Sequence, residues 1–150
     1  MSQPTLKDRI NDALKTAMRA KEKERVAVLR LVMSEFKKVE VDERIEVDDA
    51  RALVLLDKMV KQRRDSISQF EAAGRQDLAD KESAEIVVLQ EFLPQQLTAD
   101  EIAALIEQAI AESGAAVMAD MGKVMAHLKP QLQGRADMST VSVWIKERLA

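Results

Sequence analysis

An all-α fold follows from three observations on this 150-residue chain. Glycine and proline are scarce, at four and three residues, so few positions demand backbone angles that a helix refuses. Alanine, leucine, glutamate and lysine, which lose little on entering a helix, are abundant. Apolar residues recur at steps of three and four between residues that start and stop helices.

Thr5 caps a first helix reaching about Lys21. "KEKERVAVLRLVMSEFKKVEV" continues as a second helix with Val26, Leu29, Met33 and Phe36 on one stripe, and the boundary between the two stays open. From Asp48 or Asp49 a long helix runs to Ala73 and ends at Gly74, in the left-handed position that other residues adopt only at a cost. "RQDLADKESAEIVVLQEFL" carries a further helix that stops at Leu93, because Pro94 disfavours helical geometry in the residue before it. Thr98 and Glu101 then form a capping box, and Gly114 closes the helix it opens. The next helix is predicted over Val117 to Lys129, closed by Pro130. Gly134 turns the chain, and Asp137 or Ser139 caps a last helix to Leu149.

Leu93 to Leu97 therefore reads as the boundary between an N-terminal helical domain of long helices, 1–93, and a small C-terminal helical bundle, 98–150. In the bundle Met118, Met121, Met125 and Leu128 step by three and four along one face, with Gly122 beside them to let another helix come close. A methionine stripe can form a binding groove, but the core reading is preferred. Trp144, Val141, Ile145 and Leu149 form the buried face of the last helix.

Hydrophobic residues make up 47% and charged residues 33%, enough to bury a core and too apolar for a disordered chain. The net charge of -3, with a pI near 5.3, argues against a globally basic nucleic-acid binder, so any RNA contact must use a local patch. Cysteine is absent, which excludes disulfides and thiol chemistry and suits a reducing compartment. The opening "MSQPTLKDRINDALK" has no apolar core and no run is long enough to span a membrane, so a cytoplasmic protein is expected. With the single histidine, His127, and no ligand spacing around it, no metal is expected. Glycine-rich phosphate loops and a paired nucleophile and base are likewise missing, so no cofactor and no catalytic residue are assigned.

Charge carries more. Between Lys15 and Arg30 stand six basic residues, Lys15, Arg19, Lys21, Lys23, Arg25 and Arg30, against Glu22 and Glu24. A solvated helix face is the preferred reading and a phosphate-contacting patch the alternative. In "KMVKQRRDS", Arg63 falls on the apolar seam Leu53, Leu56, Val60, Ile67, Phe70, so it should be paired or snorkelling. From Thr98 to Ala150 five Lys and Arg face seven Asp and Glu, so a basic surface there requires segregation onto one side.

The blocks "MRAKEKERVAVLRL", "KQRRDSISQFEAAGRQDLADKE", "LQEFLPQQL", "MGKVMAHLKPQLQGRADMSTVS" and "WIKERL" together resemble the GatB/YqeY family, in its free-standing YqeY-like branch. Phe92 stands where that pattern often has a tyrosine. The resemblance implies an all-helical protein whose C-terminal part is similar to the tail domain of the B subunit of the glutamyl/aspartyl-tRNA amidotransferase, which helps hold tRNA while catalysis lies elsewhere. It implies motif positions at Gly122, Gly134 and Asp137, and tRNA contacts at Lys123, Lys129 and Arg135, with Lys146 as a weaker candidate. Three functions follow as expectations. The first is a non-catalytic tRNA-associated or RNA-binding adaptor. The second is an accessory of carbon-nitrogen ligase chemistry with glutamine as amide donor, inactive alone and acting with amidotransferase or aminoacyl-tRNA synthetase components. The third is a helical protein-interaction module.

Overall fold

The computed structural model describes residues 3–150. Every regular element among them is helical: α1 (Leu6–Arg19), α2 (Lys23–Glu43), α3 (Asp49–Ala72), α4 (Gln76–Gln90), α5 (Ala99–Ser113), α6 (Met121–Leu132) and α7 (Met138–Leu149), with one 3-10 turn at Met118–Asp120. Their contacts divide into two compact units, Met1–Leu93 and Pro94–Ala150.

In the first unit, α1 packs on α2 and α3 packs most extensively on α4. Leu29, Val32 and Phe36 of α2, Leu56 and Val60 of α3, Ile10 of α1 and Leu89 of α4 are fully buried, which is what steps of three and four deliver. Arg63 lies on the α3 seam as the spacing requires. Its Nε donates to Glu85 Oε2 at 3.2 Å, with Glu82 Oε2 at 3.9 Å, and its Nη1 donates to the Met59 carbonyl at 3.3 Å.

Polar ties close the unit over long sequence distances. Glu40 accepts from Lys7 Nζ at 2.8 and 3.0 Å and from the Val47 N–H at 3.0 Å. Asp49 Oδ1 accepts the Leu6 N–H at 2.8 Å, and Asp48 caps α3 by accepting the Arg51 N–H at 2.8 Å.

Two boundaries differ from expectation. The first helix ends at Arg19 and the second starts at Lys23, because Lys21 takes the left-handed φ of 58° and breaks the helix between them. The fourth helix stops at Gln90 rather than Leu93. Glu91, Phe92 and Leu93 donate to carbonyls three residues back, a tighter winding that carries Phe92 into the core at 9% exposure.

In the second unit the capping box is formed: Thr98 Oγ1 accepts the Glu101 N–H at 3.2 Å, and Glu101 Oε1 accepts the Thr98 N–H at 3.1 Å. Gly114 ends α5 at a φ of 72°. The helix expected over Val117 to Lys129 runs instead from Met121 to Leu132, through Pro130. Placed in the last turn, Pro130 removes one N–H bond, and Gln133 donates to Lys129 so that the bonding resumes beyond it.

The buried face of α6 is Val124, Leu128 and Leu132, with Met121 and Met125 packed beside it. Met118 lies outside the helix at 43% exposure, so the methionine stripe is shorter than expected. Gly122 is exposed, and a Cβ there would meet nothing within 4 Å, which overturns its role in close helix approach. Val141, Ile145 and Leu149 of α7 are buried, with Trp144 packed against them.

The knot of this unit joins segments far apart in sequence. The Leu97 N–H donates to the Arg135 carbonyl at 2.9 Å, Gln96 Nε2 to the Gly134 carbonyl at 2.7 Å, and Arg135 Nε to the Gln95 carbonyl at 3.2 Å. Gly134 holds a φ of 75°, which makes glycine the fitting residue at this turn. Gln95 to Leu97, expected as linker, are thus part of the unit.

Two outcomes follow. Glu40 is held below its ordinary carboxyl value, first by the Lys7 hydrogen bond and then by the Val47 N–H. A depressed native value means that its stabilisation is complete above the ordinary carboxylate range and is lost as pH falls through the native value. Thermal melts of E40Q should therefore lie below wild type at neutral pH and converge with it in acid, and a constant gap would contradict the tie. Separately, fragment 94–150 should melt cooperatively, whereas fragment 98–150, lacking the hydrogen bonds of 95–97, should be less stable by about 1–3 kcal/mol in urea titration. Equal stabilities would show that the knot contributes nothing.

Candidate nucleic-acid interface

The basic residues of the second unit are positioned by α6, α7 and the turn between them. Lys123 lies in the first turn of α6, 71% exposed, with Nζ 3.8 Å from Asp120 Oδ1. Asp120 is not a free partner, since its Oδ2 accepts the N–H groups of Ala116 and Val117 at 2.9 and 3.3 Å. These two bonds, then the Lys123 charge, hold its carboxyl below the ordinary range. Lys123 is therefore a partly compensated cation.

Lys129 occupies the last turn of α6, where the free carbonyl ends favour positive charge. It is exposed and has no ion pair within 4 Å among the described residues. Lys146, exposed in the last turn of α7, is equally unpaired, whereas Arg148 on the same turn is bound to Glu107 through Nε and, at 3.0 Å, through Nη2. His127 is hydrogen-bonded to Glu112 on α5.

Arg135 differs from these lysines. Its Nε is committed to the Gln95 carbonyl, and its charge acts on Glu101, whose carboxyl is held low first by the Thr98 backbone, then by the Thr98 side chain, and less by Arg135. Two of the three motif residues have structural roles in this geometry. Gly134 makes the turn, Asp137 caps α7 by accepting the Ser139 N–H at 3.1 Å, and Gly122 is an open surface position.

The structure spreads these cations along α6 rather than gathering them at a point. Lys123 and Lys129 lie about 9 Å apart along the axis and about 120° apart around it. Lys129 and Arg135 share the C-terminal end of α6, next to the start of α5. Among the described residues no group of three or more His, Asp or Glu side chains is arranged to hold a metal ion. The arrangement can present positive charge to an extended anion, and it offers no nucleophile set against a base.

Sequence reasoning missed Gln95 to Leu97 as the partner of the Gly134 turn. No local signal marks it, because the pairing joins residues about 40 positions apart.

The chain is similar in sequence to several known proteins. A Pyrenophora tritici-repentis protein named altered inheritance of mitochondria protein 41, mitochondrial, is 31% identical over 144 residues, 93% of this chain and 78% of that protein. The Kluyveromyces lactis protein of the same name is 39% identical over 82 residues, 53% of this chain and 43% of that protein, so the match spans less than half of it. An uncharacterized Schizosaccharomyces pombe protein is 33% identical over 92 residues, 61% of this chain and 75% of that protein.

These names correct the expectation of a cytoplasmic protein, because the named relatives are mitochondrial. The expectation rested on the lack of an apolar leader, and mitochondrial targeting uses amphipathic, arginine-rich segments instead. Residues 7–149 match the family described as Yqey-like protein, and the chain belongs to that family.

Proposed function

We propose that the chain is a non-catalytic RNA-associated adaptor whose second unit meets the backbone phosphates of tRNA. The observation that carries this reading is the pair Lys129 and Lys146, exposed in the last turns of α6 and α7 without a carboxylate partner among the described residues, while neighbouring Arg148 is paired with Glu107 and His127 is hydrogen-bonded to Glu112. Cations left unpaired beside paired ones are available to an external anion. The resemblance of the stretch 121–142 to the amidotransferase tail supports tRNA as that anion. Chemistry on the tRNA would come from amidotransferase or aminoacyl-tRNA synthetase components, and this chain would contribute placement.

The test is tRNA affinity as a function of salt for wild type and for K123Q/K129Q/K146Q. Arg135 is left in place because it belongs to the turn that holds the unit together. Loss of these phosphate contacts should weaken binding similarly across tRNA sequences and reduce the slope of log affinity against log salt by about 2. A folded triple variant with unchanged affinity and slope would remove these lysines from the interface. The protein alone should release no ammonia from glutamine, and release abolished by changing one side chain would refute the non-catalytic reading.

A further inference from the structure

The elbow between α1 and α2 sorts its charges in a way the residue order hides. On α2, Lys23, Val26, Ala27 and Arg30 stand at i, i+3, i+4 and i+7, so they form one stripe with a cation at each end and apolar residues between. On α1, Lys15, Met18 and Arg19 share a face by the same rule. Met18, Lys21, Lys23, Val26, Ala27 and Arg30 line one shallow depression of about 430 Å³.

No acid lines it. Glu22 and Glu24 instead line the adjoining groove, together with Asp77, Asp80 and Glu85, and Lys21, Lys23 and Ala27 line both. Lys15, Arg19, Lys21, Lys23 and Arg30 make no ion pair within 4 Å among the described residues, whereas Arg25, on the groove side, is bound to Glu91. Met18, at the floor, is 48% exposed.

We infer that this elbow is a second nucleic-acid site, which takes a single-stranded RNA segment with its phosphates on Lys21, Lys23 and Arg30 and an unstacked base against Met18 and Ala27. The chemistry selects the occupant. An acid-free ring of cations calls for a polyanion, and the apolar floor inside it calls for a flat, poorly hydrated group beside the charge, which an unstacked nucleotide supplies and a closed duplex does not. A free nucleotide would be held weakly in so shallow a dish. A strand continues past it, where Lys15 and Arg19, one turn or about 6 Å apart on α1, can meet further phosphates. The inference rests on the RNA-associated reading and places a contact in the first unit, on residues other than the lysines of α6 and α7.

The measurement is binding of a short fluorescent oligouridine, and of a duplex of equal length, to the full chain at several salt concentrations. The variant K21G/K23Q/R30Q should fold, since glycine relieves the left-handed backbone at position 21. It should bind oligouridine at least about tenfold more weakly, with the salt slope reduced by about 2 for three lost contacts to a single strand. M18S should weaken binding with the slope unchanged, which a purely electrostatic patch would not show. Wild type should prefer the single strand. Full affinity and slope in the folded triple variant, or preference for the duplex, overturns the elbow site. If the elbow variant is silent while K123Q/K129Q/K146Q lowers the slope for tRNA, the elbow falls and the adaptor reading stands. If wild type binds neither RNA, both fall.

Discussion

The second unit depends on one set of hydrogen bonds, those that fasten Gln95 to Leu97 onto the Gly134–Arg135 turn. Three helix boundaries meet there: α5 begins at Ala99 behind its cap Thr98, α6 ends at Leu132 and α7 begins at Met138. Short helices have little stability by themselves and rely on packing of one apolar face. The knot fixes the ends from which those faces are aimed, so Ile102 and Ile106, Val124 and Leu128, and Val141 and Ile145 meet in one core. Arg135 does double service here, with its carbonyl and side chain both engaged by the 95–97 segment, and this separates it from the free lysines around it.

The first unit meets the same problem with charge. A helical pair sharing an apolar seam has no intrinsic register along its length, and buried or half-buried polar groups supply one. Arg63, at 12% side-chain exposure between Glu82 and Glu85, pins α3 to α4. Glu40 ties the start of α1 and the approach to α3 to α2. Both are ion pairs whose partners also hydrogen-bond to the backbone, so losing one partner would leave more than a bare charge behind.

Much of this was legible in the residue order, and the pattern of success is physical. Thr98 with Glu101, Gly74, Gly114 and Asp137 act through neighbours within four residues, so their roles could be read directly, as could the seam that contains Arg63. Pro130 was misread because a proline's effect depends on which turn of the helix it occupies, and Lys21 because a lysine gives no sign of a left-handed backbone. Gly122 was assigned to close packing when it faces open space, since a glycine in a helix looks the same from sequence in either case. In the candidate interface the residue types were visible and their neutralisation was not. Glu107 and Asp120 select which cations stay free, and only folding brings Glu107 to Arg148.

The Glu40 tie bears on how the chain reaches this structure. Most packing joins helices adjacent in sequence, α1 with α2 and α3 with α4, which keeps loop-closure entropy small and favours rapid collapse into hairpins. The Lys7–Glu40 bond, by contrast, spans 33 positions and joins the open ends of the α1–α2 hairpin, and the Leu6–Asp49 bond spans 43 and ties that hairpin to the start of α3, so both form only after the hairpin has closed from its elbow. Contacts made after the rate-limiting step slow unfolding without hastening folding. Glu40 is thus expected to act as a latch on the lifetime of the folded unit, while the speed of its assembly is set by the hairpins.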